Sequence, residues 1–434
     1  MIAPRPEGMK RPIAGLRWWI LALLTASFSI NFIDRQTFSV LAPVLRKEFD
    51  FTNTDYSIMV FCFLLGMAVM QIPIGTLFDR LGPRRTFSLI VLGWSFTTAA
   101  HAWARGLWQF SALRFLLGNF ECGNYSGGMK VVSQWFPARE RALAGGIFNS
   151  GSLIGPVIAP PLVVWLTQQF NWRFAFLATS TLGFLWLVFW LRLFHEPRQH
   201  PRLAPQERAL IEGEPIESIA SSETTPPIRR VSVRTLLGYR QTWGVILIRA
   251  FSGPFTHFYW YWLPSYLSER GLSLTLIGLL AWIPYTGGGV GNVFGGWLAG
   301  RLLQRGASID RTRKLCFVLG GTLAASSAFI PLMPSAGVAI ALIWLAILGA
   351  NIIEANYIGV VTDVFPESVV GRLTGLTGVG DNIMSMSLML ITGIVVDRFS
   401  YLPIFIAVGV IPLVEVLALF LGVRRVERLA LTTA

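Results

Sequence analysis

Apolar residues run along this chain in blocks of about twenty, separated by short polar or glycine- and proline-bearing breaks. A helix crossing a bilayer needs roughly 20 predominantly apolar residues. That ruler predicts twelve spans, near 18–40, 56–77, 86–104, 108–133, 142–168, 172–193, 241–267, 274–302, 314–333, 337–363, 372–397 and 400–422. Membrane-crossing β-strands would be about half as long and would alternate apolar with polar, which these blocks do not. Arg5, Lys10, Arg11 and Arg17 lead directly into a full-length span, so the N-terminal segment reads as a retained first helix, not a cleaved signal peptide.

The longest polar stretch, 195–240, carries Pro201, Pro205, Pro215, Pro226 and Pro227 with Ser221, Ser222, Thr224 and Thr225. It reads as a flexible cytoplasmic linker with a short helix around Gln206–Glu212. It divides the spans six and six, which predicts domains at 1–194 and 241–434 joined by 195–240. The halves echo each other. Phe136-Pro137 precedes Arg141 and the small residues Gly145, Gly146, Gly151 and Gly155, as Phe365-Pro366 precedes Arg372, Gly375, Gly378 and Gly380. Gly75, Asp79, Arg80, Gly82 and Arg85 after span two have a worn copy, Gly296, Gly300 and Arg301, after span eight. The expected fold is all-α: twelve transmembrane helices in two pseudo-symmetric six-helix bundles around a midplane site.

Composition agrees. Hydrophobic residues make up 53% and charged residues 14%, against about 25% charged in a soluble domain. The 31 Phe, 16 Trp and 9 Tyr exclude a disordered chain. Cys62, Cys122 and Cys316 sit in apolar stretches and make neither a disulfide framework nor a metal cluster. The net charge of +13 and pI near 10.3 would suit nucleic acid, were it not for where the charges sit. Of the 36 Lys and Arg, six lie in one set of loops (Arg46, Lys47, Arg105, Arg173, Arg270, Arg398) and four inside spans (Arg35, Arg114, Lys130, Arg249). The other 26 gather on the opposite set, together with both termini. That asymmetry predicts cytoplasmic termini, a bacterial inner-membrane location and attraction to anionic lipid, with no nucleic-acid partner.

Seven ionisable residues fall well inside spans: Asp34, Arg35, Arg114, Glu121, Arg249, Glu354 and Asp381. Each costs roughly 2.5–3.5 kcal/mol at a helix centre on insertion scales. They must therefore face a wet cavity, pair with one another or be neutralised by a proton. The plain alternative is that they are ion pairs tying helices together. Asp34 and Arg114 each lie about six residues from the predicted outer ends of their spans, which predicts an Asp34–Arg114 pair. Glu121, two turns deeper on the face of Arg114, is the candidate midplane carboxyl for proton exchange. Gly118, Gly123, Gly127 and Gly128 allow close packing there. Arg249, Glu354 and Asp381 form a candidate cluster near the inner mouth, their helix faces unassigned. Lys130 is expected to snorkel; Glu415 and His101 receive no role. A guanidinium in a wet cavity suits a carboxylate, and a titratable carboxyl beside it would link anion entry to proton entry. The aromatics Phe258, Tyr259, Trp260, Tyr261, Trp262 and Tyr266 read mostly as an interfacial belt, with Tyr259 and Trp262 placed to stack on a sugar ring.

Gly75-Thr-Leu-Phe-Asp79-Arg80-Leu-Gly82-Pro-Arg84-Arg85 resembles the cytoplasmic signature loop of the major facilitator superfamily. Asn31-Phe-Ile-Asp34-Arg35, Arg114 with Glu121, Phe148-Asn149-Ser150-Gly151-Ser152, and Gly375-Leu-Thr-Gly378 followed by Asn382 resemble its anion:cation symporter family. Gly15-Leu-Arg17-Trp18, Ile158-Ala-Pro160-Pro161, Trp243-Gly244 with Arg249, and Ala281-Trp282-Ile-Pro284 resemble the hexuronate-transporter branch. The resemblance implies proton-driven uptake of a sugar-acid anion by alternating access, with Asp34 and Glu121 as proton-coupling carboxyls. It further implies Arg35 on the substrate carboxylate, Arg114 tuning the carboxyls and Asn382 on substrate hydroxyls; Arg114, Ser152 and Arg249 are also candidate substrate-binding residues. Where galactonate-type members carry tyrosines in spans one and two, this chain has Phe32 and Met67. Asp79, Arg80, Arg84 and Arg85 read as a conformational gate, Asp79 bracing the start of span eleven near Arg372 in the outward-open state.

The leading expectation is a proton-coupled symporter for a hexuronate such as glucuronate or galacturonate, acting as a monomer with protons as coupling ions and no other cofactor. The alternative is a carrier or exchanger for another organic anion, an aldonate or aromatic acid. A membrane enzyme is disfavoured, since no nucleophile–base pair, metal-ligand cluster or phosphate-cradling loop is visible and the four His, at 101, 195, 200 and 257, are scattered. A receptor would need a sizeable domain outside the membrane.

Overall fold

The computed structural model describes residues 13–212 and 233–429. Arg5, Lys10, Arg11 and the linker residues Pro215, Ser221, Ser222, Thr224, Thr225, Pro226 and Pro227 lie outside the described residues. The first six spans are Leu16–Phe49, the two arms of Asn53–Ala100, Leu107–Glu121 continued by Gly123–Trp135, Ala138–Gln169 and Trp172–Leu193. The second six are Arg240–Glu269, Leu274–Leu280 continued by Ile283–Gln304, Ile309–Ala325 with Ser326–Leu332, Ala336–Val364, Glu367–Arg398 and Leu402–Ala418. Nine helical stretches among the described residues are long and apolar enough to cross a membrane by length and hydropathy alone. One of these, Asn53–Trp103, is two spans. Leu107–Trp135 is divided at Cys122, and Arg240–Glu269 is diluted by polar and aromatic side chains.

The turn between spans two and three is made by Gly82, whose φ of 74° suits a residue without Cβ. Pro83 follows, with its φ already fit for the first turn of span three. Within the linker, the short helix is Pro205–Glu212. Its Glu207 accepts hydrogen bonds from the free backbone N–H groups of Leu16 and Arg17 at 3.1 Å each and pairs with Arg17, so the linker caps the first helix.

Packing follows the sequence echo. Span one packs on span five as span seven packs on eleven; span two packs on four as eight packs on ten; span three packs on six as nine packs on twelve. Gly118 of span four lies directly on the span-two backbone at Phe63, as its small size requires. Between the halves, span one meets seven, two meets eleven and five meets eight.

The halves close on one face and part on the other. On the face away from the termini, Ser39 donates toward the carbonyls of Trp260 and Tyr261 (2.9 and 3.0 Å), and the Tyr56 hydroxyl donates to Tyr261 O at 2.7 Å. Asp397, near the end of span eleven, accepts from the backbone N–H and side chains of Asn53 and Thr54 at 2.6–2.9 Å. A carboxylate from one half thus caps the N-terminus of span two in the other. Gln168 bonds Thr275, and Arg46 pairs with Glu269. On the termini's face the same helices diverge around a cavity.

Loss of the Asp397 cap should let the closed face open. Asp397→Asn should raise labelling of a cysteine placed at Ser39 by an impermeant maleimide several-fold, in a background without the native cysteines; labelling equal to the parent would show that the cap does not hold this face shut.

Candidate functional site

The cavity between the halves has a volume of about 650 Å³ and reaches Val361, Thr362, Val370 and Thr374 at the ends of spans ten and eleven. Among the described residues its charged lining is Arg249, Glu354 and Asp381. Arg249 Nη1 donates to Glu354 Oε1 at 2.6 Å, and its Nε lies 3.0 Å from Asp381 Oδ2. Ser252 Oγ donates to Glu354 Oε2 at 3.2 Å, and Ser385 Oγ to Asp381 Oδ1 at 3.1 Å. The cluster expected from sequence therefore forms, with Glu354 and Arg249 about one-third exposed to the cavity. Gly253 makes room for it, because a Cβ there would stand 1.5 Å from Asp381 Oδ1. Asn382 also lines the cavity and donates to Gln71 Oε1 at 2.9 Å, a bond between the halves.

The charges of the first half behave differently. Arg35 Nε donates to Glu121 Oε2 at 2.6 Å, with the Glu121 side chain wholly buried and that of Arg35 10% exposed. The expected Asp34–Arg114 pair is not formed. Asp34 is buried with both carboxylate oxygens free of hydrogen bonds, and Arg114, also buried, lies with its guanidinium over the rings of Phe38 (4.5 Å) and Phe63 (4.2 Å). The reason is the length of span one. Its helix continues to Phe49 because Arg46, Lys47 and Glu48 extend it past the apolar block. Counted from the observed ends, Arg35 lies fourteen residues before Phe49 and Glu121 fourteen after Leu107, so these two share a level.

None of Asp34, Arg35, Arg114 and Glu121 lines the cavity in this conformation, contrary to a reading in which all four face water. They stand behind its wall and away from lipid. Phe32 lines the cavity, and the Arg35 guanidinium stacks 4.8 Å from its ring centroid. Trp260 packs edge-on against Phe32 at 5.2 Å and against His257 at 5.4 Å. His257 in turn contacts Ser385, the partner of Asp381. A continuous run of ring and polar contacts thus joins the buried Arg35–Glu121 pair to the exposed Arg249 cluster.

Tyr259 and Trp262 are corrections as sugar-stacking rings for this conformation. Both are buried away from the large cavity, Tyr259 hydrogen-bonded to Ser327 Oγ at 2.7 Å and Trp262 edge-on to Tyr56. Trp260 and His257 are presented instead. The signal was in the sequence: Arg249, Ser252, Gly253, Thr256, His257 and Trp260 recur at helical spacing and form one polar stripe. Ser152 lines the cavity, as does Asn149. In the gate loop, Asp79 pairs with Lys130 at 2.5 Å, Arg84 donates to Leu191 O at 2.6 Å, and Arg80 and Arg85 are exposed. Lys130 therefore turns out to be a gate-loop partner. The described contacts of Asp79 do not include Arg372.

A twelve-span bundle closed on one face, open on the other and polar at its centre defines a membrane carrier. The chain belongs to the major facilitator superfamily, whose family model matches residues 24–349. It is 31% identical over 413 residues to the hexuronate transporter of Escherichia coli K12, 94% of each chain, and 30% identical over 438 residues to a probable galactarate/D-glucarate transporter of Bacillus subtilis, 98% of this chain and 95% of the relative. A bacterial homologue of the human lysosomal transporter Spinster, solved in an inward-facing and occupied conformation, shares the fold with a TM-score of 0.76 at 16% identity, covering 95% of this chain and 98% of that one. The protein is a multi-pass membrane transporter, not an enzyme.

Gly253→Ala should force Asp381 off Arg249, an overpacking change that costs roughly 1–3 kcal/mol in well-packed cores. A lowered apparent melting temperature in detergent is the expected outcome; an unchanged one would mean that the cluster relaxes freely into the cavity.

Proposed function

We propose that the protein couples uptake of a sugar-acid anion, a hexuronate such as glucuronate or galacturonate, to inward proton movement by alternating access. The observation that carries this reading is the buried Arg35–Glu121 pair standing directly behind the Phe32 wall of the cavity. Glu121 engages Nε of Arg35, so the Nη1/Nη2 edge of the guanidinium can take a substrate carboxylate in a fork. One guanidinium then faces two carboxylates, an excess of one negative charge in a dry site. A proton on Glu121 removes the excess, so anion and proton enter together. Asp34, buried without a hydrogen bond, is the second carboxyl able to take a proton, and Arg114 supplies a fixed positive field to both.

With the basic face cytoplasmic, the conformation described is inward-open. Asn382, Ser152 and the Arg249 cluster then line the path by which substrate is released. Asp79, released from Lys130, is free to brace span eleven beside Arg372 when the inner face closes, with Arg80, Arg84 and Arg85 completing the gate. Relatives named for hexuronate, galacturonate and galactarate transport support a sugar-acid cargo.

In proteoliposomes, Glu121→Gln should abolish accumulation driven by a pH gradient while leaving counterflow exchange measurable; equal loss of both would move Glu121 from coupling to binding or folding. Arg35→Lys keeps the charge and loses the fork, so hexuronate affinity in counterflow should fall about tenfold or more. Unaltered affinity would remove Arg35 from the carboxylate site.

A further inference from the structure

The Arg249 cluster is not required to hold a lone charge in place. One arginine stands between two carboxylates, and all three line the cavity. The cavity wall therefore carries a net formal charge of −1, concentrated on spans seven, ten and eleven. Across the Phe32–Trp260–His257 run stands Arg35, the guanidinium whose Nη edge Glu121 leaves open. With Glu121 protonated, as in the function proposed above, the site has a positive end at Arg35 and a negative end at the cluster.

We propose that Glu354 and Asp381 are specificity-determining residues that make this carrier select sugar acids with one carboxylate and reject aldarates, which carry one at each end. The inference rests on the sugar-acid reading given above. A hexuronate bound by its carboxylate at Arg35 turns its hydroxyls toward the cluster. There the free lone pairs of Glu354 and Asp381, with the Asn382 amide, accept and donate hydrogen bonds. An aldarate held at Arg35 would drive its second carboxylate against that same negative end. The charge of Arg249 is already outweighed, since Glu354 pairs with its Nη1 and Asp381 with its Nε, so a second carboxylate meets a cluster that stays at −1. Discrimination by like-charge juxtaposition grows as the cavity closes around the substrate and the repelled group loses its water. Ser252 and Ser385 hold the two carboxylates by one oxygen each, which fixes where the negative end points.

Charge count gives the proposal a signature that a structural role would not share. Glu354→Gln or Asp381→Asn brings the cluster from −1 to zero. Either should raise uptake of galactarate relative to galacturonate, measured by counterflow competition in proteoliposomes, about tenfold over the parent. The double variant Arg249→Gln/Glu354→Gln removes one charge of each sign, returns the cluster to −1 through Asp381, and should restore rejection of the aldarate. Each single variant leaves Arg249 one carboxylate partner, so either one reads the charge change if the other fails to fold. A galactarate-to-galacturonate ratio that is the same in parent, single and double variants would overturn the inference while leaving hexuronate transport standing. The same holds for a parent that takes both equally. A parent that exchanges neither sugar acid would overturn the function proposed above and this inference with it.

Discussion

An ionised side chain in hydrocarbon has no water to solvate it, and every structural choice around the seven intramembrane charges answers that fact. The two halves answer it differently. In the first, Arg35 and Glu121 neutralise each other behind a wall of phenylalanines, and Arg114 rests on the faces of Phe38 and Phe63. Ring quadrupoles stabilise a desolvated guanidinium by about 2 kcal/mol, a useful share of its burial cost. In the second, Arg249, Glu354 and Asp381 keep both mutual contact and access to the cavity. A dry pair and a wet cluster sit on opposite sides of one opening.

The cavity exists because closure is one-sided. The contacts that seal the far face mix packed rings, Trp262 on Tyr56 and Tyr261 on Phe63, with short polar bonds, Ser39 and Tyr56 on the span-seven carbonyls and Asp397 on the start of span two. Water can replace the polar bonds at little net cost. Within each half the long helices instead meet through close backbone approach, as at Gly118, and through buried aromatics such as Trp94, Trp135 and Trp190. Rigid halves with an exchangeable seal fit the rocking motion expected of a carrier built from parallel repeats. Seen this way, the polar stripe on span seven has two duties, since Trp260 offers its ring to the cavity and its carbonyl to the seal.

Much of this architecture was legible from the chain. Block length settled the number of spans, and the repeated Phe-Pro and glycine patterns settled that the halves are copies, because both properties are local and repeat at spacings that helix geometry converts directly into position. The Arg249–Glu354–Asp381 cluster was legible as a set of residues at similar depth. The stripe that places Trp260 and His257 in the cavity is legible too, as polar and ring side chains at helical spacing along span seven.

Partner choice was another matter. Asp34 and Arg114 matched in depth only under the apolar ruler, which ends span one before its charged last turns; the helix runs on through Arg46, Lys47 and Glu48 to Phe49, and Arg35 meets Glu121 instead. The chain by itself determined which residues are charged, how deep each lies to within a turn or two, and that they must be shielded from lipid, because those depend on composition and on 1.5 Å per residue. Only the tertiary structure decided which charges touch, which are wet and which face is shut. Those depend on the rotation of each helix about its axis and on contacts between the halves, and a single helix carries no information about either.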